Sequence, residues 1–131
     1  TQDTSLPVEV ASETFSVNNA DGTAVFSGNV VVTQGEMKLS AAEVRVQYSA
    51  DQTSVEQLIA SGGVTITNLG DAAEAREAVY TIASGVIVLT GDVLLAQGPS
   101  AMAGQKLTIN LKDGTGVMEG RVTTTFVPGG N

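Results

Sequence analysis

The chain has 131 residues, 42% hydrophobic and 4% aromatic, with six basic residues against fourteen acidic ones and a net charge of −8. It contains no histidine, cysteine or tryptophan, which excludes disulfides, thiolate chemistry, His-dependent triads and the commonest zinc ligand. The acidic balance opposes nucleic acid and anionic membrane surfaces as partners.

No apolar run approaches the roughly 20 residues that span a bilayer. No signal peptide is present, and a start at Thr1 rather than Met fits a processed or trimmed chain. The length suits one domain over 1–131, with 1–7 and 128–131 expected to be loose.

In chain order, Val8-Glu9-Val10 opens a short strand, and Phe15-Ser16-Val17 reads as a second, closed by the turn signal Asn18-Asn19-Ala20-Asp21-Gly22. Ala24-Val25-Phe26 runs into Gly28 and on through Val30 and Val32, and Gln34-Gly35 turns the chain. Met37 to Tyr48 alternates through Leu39, Val44 and Val46; Ser49 to Ser54 is polar and turn-like. Leu58-Ile59-Ala60 leads into Gly62 and Val64-Thr65-Ile66, and Asn68 to Asp71 turns again. Ala72 to Ala78 has helix-forming composition, but the repeat described next makes it a strand. Val86 to Leu89 precedes Gly91 and Val93-Leu94-Leu95, and Gln97-Gly98-Pro99-Ser100 breaks the pattern. Leu107 to Leu111 alternates, Lys112 to Gly116 signals a hairpin, and Val122 to Val127 is the last expected strand.

The repeat is anchored on Gly28, Gly62, Gly91 and Gly120, spaced 34, 29 and 29 residues apart. Such a period marks a stacked architecture. Thirteen residues after the first three glycines lie Ala41, Ala75 and Gly104, and fifteen after lie Glu43, Glu77 and Lys106. Apolar triplets follow: Val44, Val46 and Tyr48; Ala78, Tyr80 and Ile82; Leu107, Ile109 and Leu111. Alternation within each triplet is that of a half-buried strand. An earlier copy at Ala11-Ser12-Glu13 has its apolar pair slipped by one, which demands a bulge if the faces are to be kept. The glycines read as bends or bulges where strands turn a corner. Many short, evenly spaced strands make the fold all-β: a sandwich, a jelly roll or a solenoid-like stack.

Little in the chain carries reaction chemistry. Gly114 and Gly116 lack the strand-turn-helix setting of a nucleotide site. The carboxylates Asp71, Glu74 and Glu77, and the pair Glu9 and Glu13, read as solvated strand faces rather than a glycosidase pair. Neither Asp71 nor Asp92 sits in a loop with calcium-ligand spacing. No catalytic residue, metal or cofactor is therefore expected. The inward Val, Leu, Ile and Ala have few rings among them, so they form either an ordinary core or a trough partly open to apolar ligands.

The run 23–35, TAVFSGNVVVTQG, followed by Leu39-Ser40-Ala41-Ala42-Glu43-Val44-Arg45-Val46, resembles the LptA/OstA family of lipopolysaccharide transport proteins. So do Ala60-Ser61-Gly62-Gly63-Val64, Ala75-Arg76-Glu77-Ala78-Val79-Tyr80, Leu89-Thr90-Gly91-Asp92-Val93 and Gly116-Val117-Met118-Glu119-Gly120-Arg121-Val122. The similarity spans about residues 7–127, through the order and spacing of motifs that are individually weak.

The resemblance implies a periplasmic antiparallel β-jelly roll, an open twisted stack of repeated strands, that binds lipopolysaccharide acyl chains in an apolar groove. It also implies head-to-tail stacking between an inner-membrane LptC-like and an outer-membrane LptD-like component. The absence of a membrane anchor and of a large barrel disfavours either of those components for this chain. With the triplet alternation, the groove is expected to be lined by Val30, Val32, Val44, Val46, Val64, Ile66, Tyr80, Val93, Leu95, Leu107 and Ile109. The oligomer edge is expected at Val8, Val10, Val122, Thr124 and Phe126, since 122–127 is uncharged, β-branched and unprotected before Pro128. Lipid phosphates sit poorly with a charge of −8, so grip should come from apolar burial, about 0.8 kcal/mol per CH₂. The alternative is a structural β-solenoid that polymerises without a lipid ligand.

Overall fold

A computed structural model describes residues 6–126, apart from Asn19, Asp21, Gln52 and Leu69. The expectations for 1–5 and for 127–131 fall outside these residues. The described chain is strand and turn: β1 (Glu9–Ala11), β2 (Thr14–Asn18), β3 (Thr23–Gln34), β4 (Met37–Tyr48), β5 (Val55–Asn68), β6 (Asp71–Thr81), β7 (Val86–Gln97), β8 (Ser100–Asn110), β9 (Thr115–Glu119) and β10 (Thr123–Thr125). All ten join one antiparallel sheet in which β3 to β8 pair in sequence order. Ala72 to Ala78 lies inside β6, held by ladders to β5 and β7 on both sides. Pairing on two sides overrides its helix propensity.

The long strands are interrupted at one level. Register shifts fall between Ser27 and Val30, Ser61 and Val64, and Thr90 and Val93. At each, two residues of the odd-numbered strand face one of its neighbour, the signature of a bulge. The pairs are Gly28-Asn29, Gly62-Gly63 and Gly91-Asp92, and all six residues have positive φ. At Gly62 and Gly91 space as well as φ demands glycine. A Cβ on Gly62 would stand 2.6 Å from Ala42 Cβ, and one on Gly91 would stand 2.9 Å from Arg76 Cβ. Ala42 and Arg76 each lie fourteen residues after a repeat glycine, so every copy seats the next one's corner.

The bulges divide the sheet into two leaves. One holds β2, β9 and residues 23–27, 43–48, 55–61, 77–81, 86–90 and 106–110. The other holds β1, β10 and residues 30–34, 37–41, 64–68, 71–75, 93–97 and 100–104. β1 and β2 are two arms of one bent strand along β3, parted at Ser12-Glu13, where the Glu13 N–H donates to the carbonyls of Ser27 and Gly28. That break absorbs the slipped first copy. β9 and β10 flank β8 in the same way, on either side of Gly120.

The leaves face each other. Tyr80 in the first leaf donates from its hydroxyl to Gln34 Oε1 in the second, at 2.6 Å, and both residues are buried. The inward side chains form one core cluster running from Ala24 to Leu111. The expected jelly roll is thus one continuous sheet folded along its glycine corners, not two sheets of separate strands.

Candidate functional site

Directly opposed residues share a face, so the register gives the inward rows. In the first leaf one row runs Val17, Ala24, Val46, Leu58, Tyr80, Ile87, Ile109, Gly116; the next runs Phe15, Phe26, Val44, Ala60, Ala78, Leu89, Leu107, Met118. In the second leaf a row runs Val10, Val32, Leu39, Ile66, Ala73, Leu95, Met102, Thr124. The structure brings all eleven expected groove residues to this interior. Val44, Val46, Tyr80, Leu107 and Ile109 come from the first leaf; Val30, Val32, Val64, Ile66, Val93 and Leu95 come from the second. Nine are buried, and Leu95 and Ile109 are partly exposed.

The interior is not uniformly filled. Ala24, Val30, Val32 and Val44, on β3 and β4, are wholly excluded from solvent. Toward β5 to β9 a cavity of about 290 Å³ opens between the leaves. Of the expected set, Ile66, Leu95, Leu107 and Ile109 line it, with Met37, Ala73, Ile87 and Leu111. The other seven expected residues pack in the core away from it. Small side chains make the room: Ala72 and Ala73 on β6, and Gly114 and Gly116 at the β8–β9 hairpin. Its size sits at the lower edge of the range for small-ligand sites, about 300–1,000 Å³.

The polar lining was not foreseen. Asn68, Asp71 and Gln97 stand at the tips of the second leaf, and Asn110 at the tip of the first. Asn68 opposes Asp71, and Asp71 opposes Gln97. A signal existed in the sequence. Six residues after each of the first three repeat glycines stands an amide: Gln34, Asn68 and Gln97. All three precede tight turns and read naturally as turn residues, which hid their inward register.

Gln34 performs a different task from the other two. It accepts from Tyr80 and donates through Nε2 to the Leu6 carbonyl at 2.9 Å, which bolts the leaf tips together at the β3 side. Burial raises the Tyr80 hydroxyl above its ordinary pKa. The carboxyl of Asp51 is held down to about 2 by hydrogen bonds from Ser49 and Thr53, within the β4–β5 turn and remote from the cavity lining. Among the described residues no group of three His, Cys, Asp or Glu could hold a metal ion.

The two ends of the stack are apolar edges. On β2, Phe15 and Val17 are about half exposed, and Phe15 stacks on Phe26 at 4.7 Å between ring centroids. At the other end Val117, Val122 and Phe126 are exposed, the last by 73%. The expected edge residues divide differently from the expectation. Thr124 lies in β10, but Val122 and Phe126 lie just outside it, and Val10 lies in β1 with Val8 just before it. Among the described residues the last strand is Thr123–Thr125, which starts one residue later than expected, after the corner at Gly120 and Arg121 (φ 51°); the expected end at Val127 lies outside the described residues.

A single antiparallel sheet, bent at regular glycine corners into two facing leaves with an apolar interior and an edge at either end, defines the class as an open, folded β-jelly roll. The chain belongs to the family described as "LptA/(LptD N-terminal domain) LPS transport protein", which matches residues 9–115. It is 31% identical to the lipopolysaccharide export system protein LptA of Escherichia coli K12 over 98% of this chain and 75% of that protein. It is 24% identical to LptA of Haemophilus influenzae over 96% of this chain and 80% of that one. The crystal structure of LptH, the periplasmic LptA homologue of Pseudomonas aeruginosa, superimposes with a TM-score of 0.85 at 18% identity, over 98% of this chain and all of that one. The likeness to LptH is one of fold.

Proposed function

We propose that this chain is a periplasmic lipopolysaccharide carrier and not an enzyme. It shields acyl chains between its leaves and passes them along a stack of copies from the inner to the outer membrane. The observation that carries this reading is the cavity between the leaves on the β5–β9 side, lined by apolar side chains with polar ones at the leaf tips. A structural solenoid would be expected to fill that space, as this chain does at β3 and β4. Photo-crosslinkers at Ile66, Leu95 or Ile109 are expected to capture lipopolysaccharide, and one at outward, exposed Arg45 is not. Equal labelling at all four positions would overturn the groove.

The edges support head-to-tail stacking. β1 and β10 belong to one leaf, and β2 and β9 to the other, so one copy's C-terminal pair can continue the next copy's N-terminal pair in both leaves together. Such heterologous pairing gives open filaments and joins one groove to the next. The end subunits would meet the LptC-like and LptD-like components. N–H groups of neighbouring strand residues point to opposite sides, so of Thr123→Pro and Thr124→Pro one removes an outer donor and the other disturbs the ladder to β8. Light scattering is expected to show one of them folded and monomeric while the unmodified protein forms concentration-dependent oligomers. A strict monomer at high concentration would exclude this joint.

A further inference from the structure

The rim of the cavity has a chemistry of its own. The chain has six basic residues, Lys38, Arg45, Arg76, Lys106, Lys112 and Arg121. All are exposed and none lines the cavity. Arg76 is engaged with Asp92, and Lys112 Nζ donates to the Ala83 carbonyl at 2.6 Å. The polar side chains at the leaf tips that line the cavity are amide and carboxylate: Asn68, Asp71, Gln97 and Asn110. Asn68 Oδ1 is buried with no hydrogen-bond partner among the described residues. A buried acceptor left unpaired is costly, so this oxygen is poised for a donor. Asp71 is likewise an acceptor; its Oδ2 lies 3.5 Å from Gln97 Nε2, a marginal contact.

We propose that Asn68, Asp71 and Gln97 form a polar subsite that selects the uncharged donors of a lipid, its hydroxyl and amide N–H groups, and does not recognise its phosphates. The proposal rests on the lipid-carrier reading and names what the rim of that groove reads. A phosphate brings acceptor oxygens and negative charge to a rim that already presents acceptors and the Asp71 carboxylate. Phosphate sites are built from Arg, Lys or clustered backbone N–H groups, and no basic side chain lines this one. An acylated saccharide offers hydroxyls and amide N–H groups next to its acyl chains, at the depth where these residues stand. The repeat places an amide at the same position in successive copies. Gln34 is spent on the Tyr80 bolt, whereas Asn68 and Gln97 line the cavity.

The test uses a fluorescent long-chain fatty acid seated in the groove of the purified protein, in buffer free of divalent cations. Bis-phosphorylated lipid A and its dephosphorylated counterpart, with identical acyl chains, are titrated as competitors. Both are expected to displace the probe with affinities within about threefold of each other, independent of salt, since charge is not read. Asn68→Leu and Gln97→Leu are each expected to weaken both competitors by about two- to tenfold, the loss of one hydrogen bond, after correction for each variant's own affinity for the fatty-acid probe. Gln97 is exposed, so its variant tests the subsite even if Asn68→Leu disturbs the fold. The proposal is overturned if the phosphorylated form binds about tenfold tighter at low salt and the gap closes at high salt. It is also overturned if the leucine variants bind both lipids as before. If neither lipid displaces the probe, or the probe does not enter, the carrier reading itself fails.

Discussion

The β3–β4 side of the trough and the β5–β9 side are built from the same repeat, yet one is a closed core and the other an open groove. On the closed side Val30, Val32 and Val44 are fully excluded from solvent, and Gln34 is bolted to Tyr80, which reaches it from β6 in the opposite leaf. On the open side Leu95, Ile109, Met102 and Met118 keep partial exposure. The strand pattern is not what differs. Along one inward row the side chains shrink from Tyr80 through Ile87 and Ile109 to Gly116. Across from them stands Ala73, where neighbouring rungs of its own row carry Ile66 and Leu95. A few side-chain volumes therefore decide whether an alternating strand set becomes core or binding site.

The largest break is expected from removing the bolt's body. Tyr80→Ala should destabilise the protein by about 3–5 kcal/mol, through the cavity it leaves, measured from urea unfolding. If the fold survives, the closed side should become a second groove and lipid uptake should rise. The corners are common to both sides and come next. Gly91→Ala must place an L side chain at φ +85° and press its Cβ on Arg76. A loss of roughly 2–4 kcal/mol is expected by the same measurement, with Ala42→Gly, beneath the neighbouring corner, far milder.

A smaller effect separates the bolt's hydrogen bond from its bulk. Tyr80→Phe removes the Tyr80 hydrogen bond to Gln34 Oε1 and should cost about 1–3 kcal/mol. The pH dependence has a definite sign. Burial raises the folded pKa of Tyr80 above its ordinary value. Its contribution is therefore complete below the unfolded pKa of about 10 and lost as pH rises through the folded value. Unfolding free energy should fall more steeply in strong alkali for the unmodified protein than for Tyr80→Phe. Equal slopes would show that Tyr80 does not sense its burial.

How much of this could be read in the chain follows from what repeats encode. The glycine spacing and the triplets disclosed the strands, the corners and the inward faces, including the Ala-rich β6 whose composition favours a helix. They could not disclose the closure, because Val32 and Leu95 occupy equivalent positions, each four residues after its repeat glycine, and differ in what stands across the gap. The Tyr80–Gln34 contact joins residues 46 apart in sequence, from different leaves, and no local pattern announces it. Asn68 and Gln97 were visible as a repeated amide at plus six. A polar residue next to or near glycine is an ordinary turn signal, and that hides their place on the inward face.

The account's central claim is that the space beside Ala73 is a lipid site rather than a packing defect. Ala73 is 3% exposed and lines the cavity, so Ala73→Leu adds apolar volume where room already exists. The deciding measurement is lipopolysaccharide binding by this variant, alongside its urea midpoint. The account predicts a midpoint unchanged or raised, within about 1.5 kcal/mol, with lipid binding weakened by about tenfold or more, equivalent to about 1.4 kcal/mol. Full binding by a stably folded Ala73→Leu protein would contradict it.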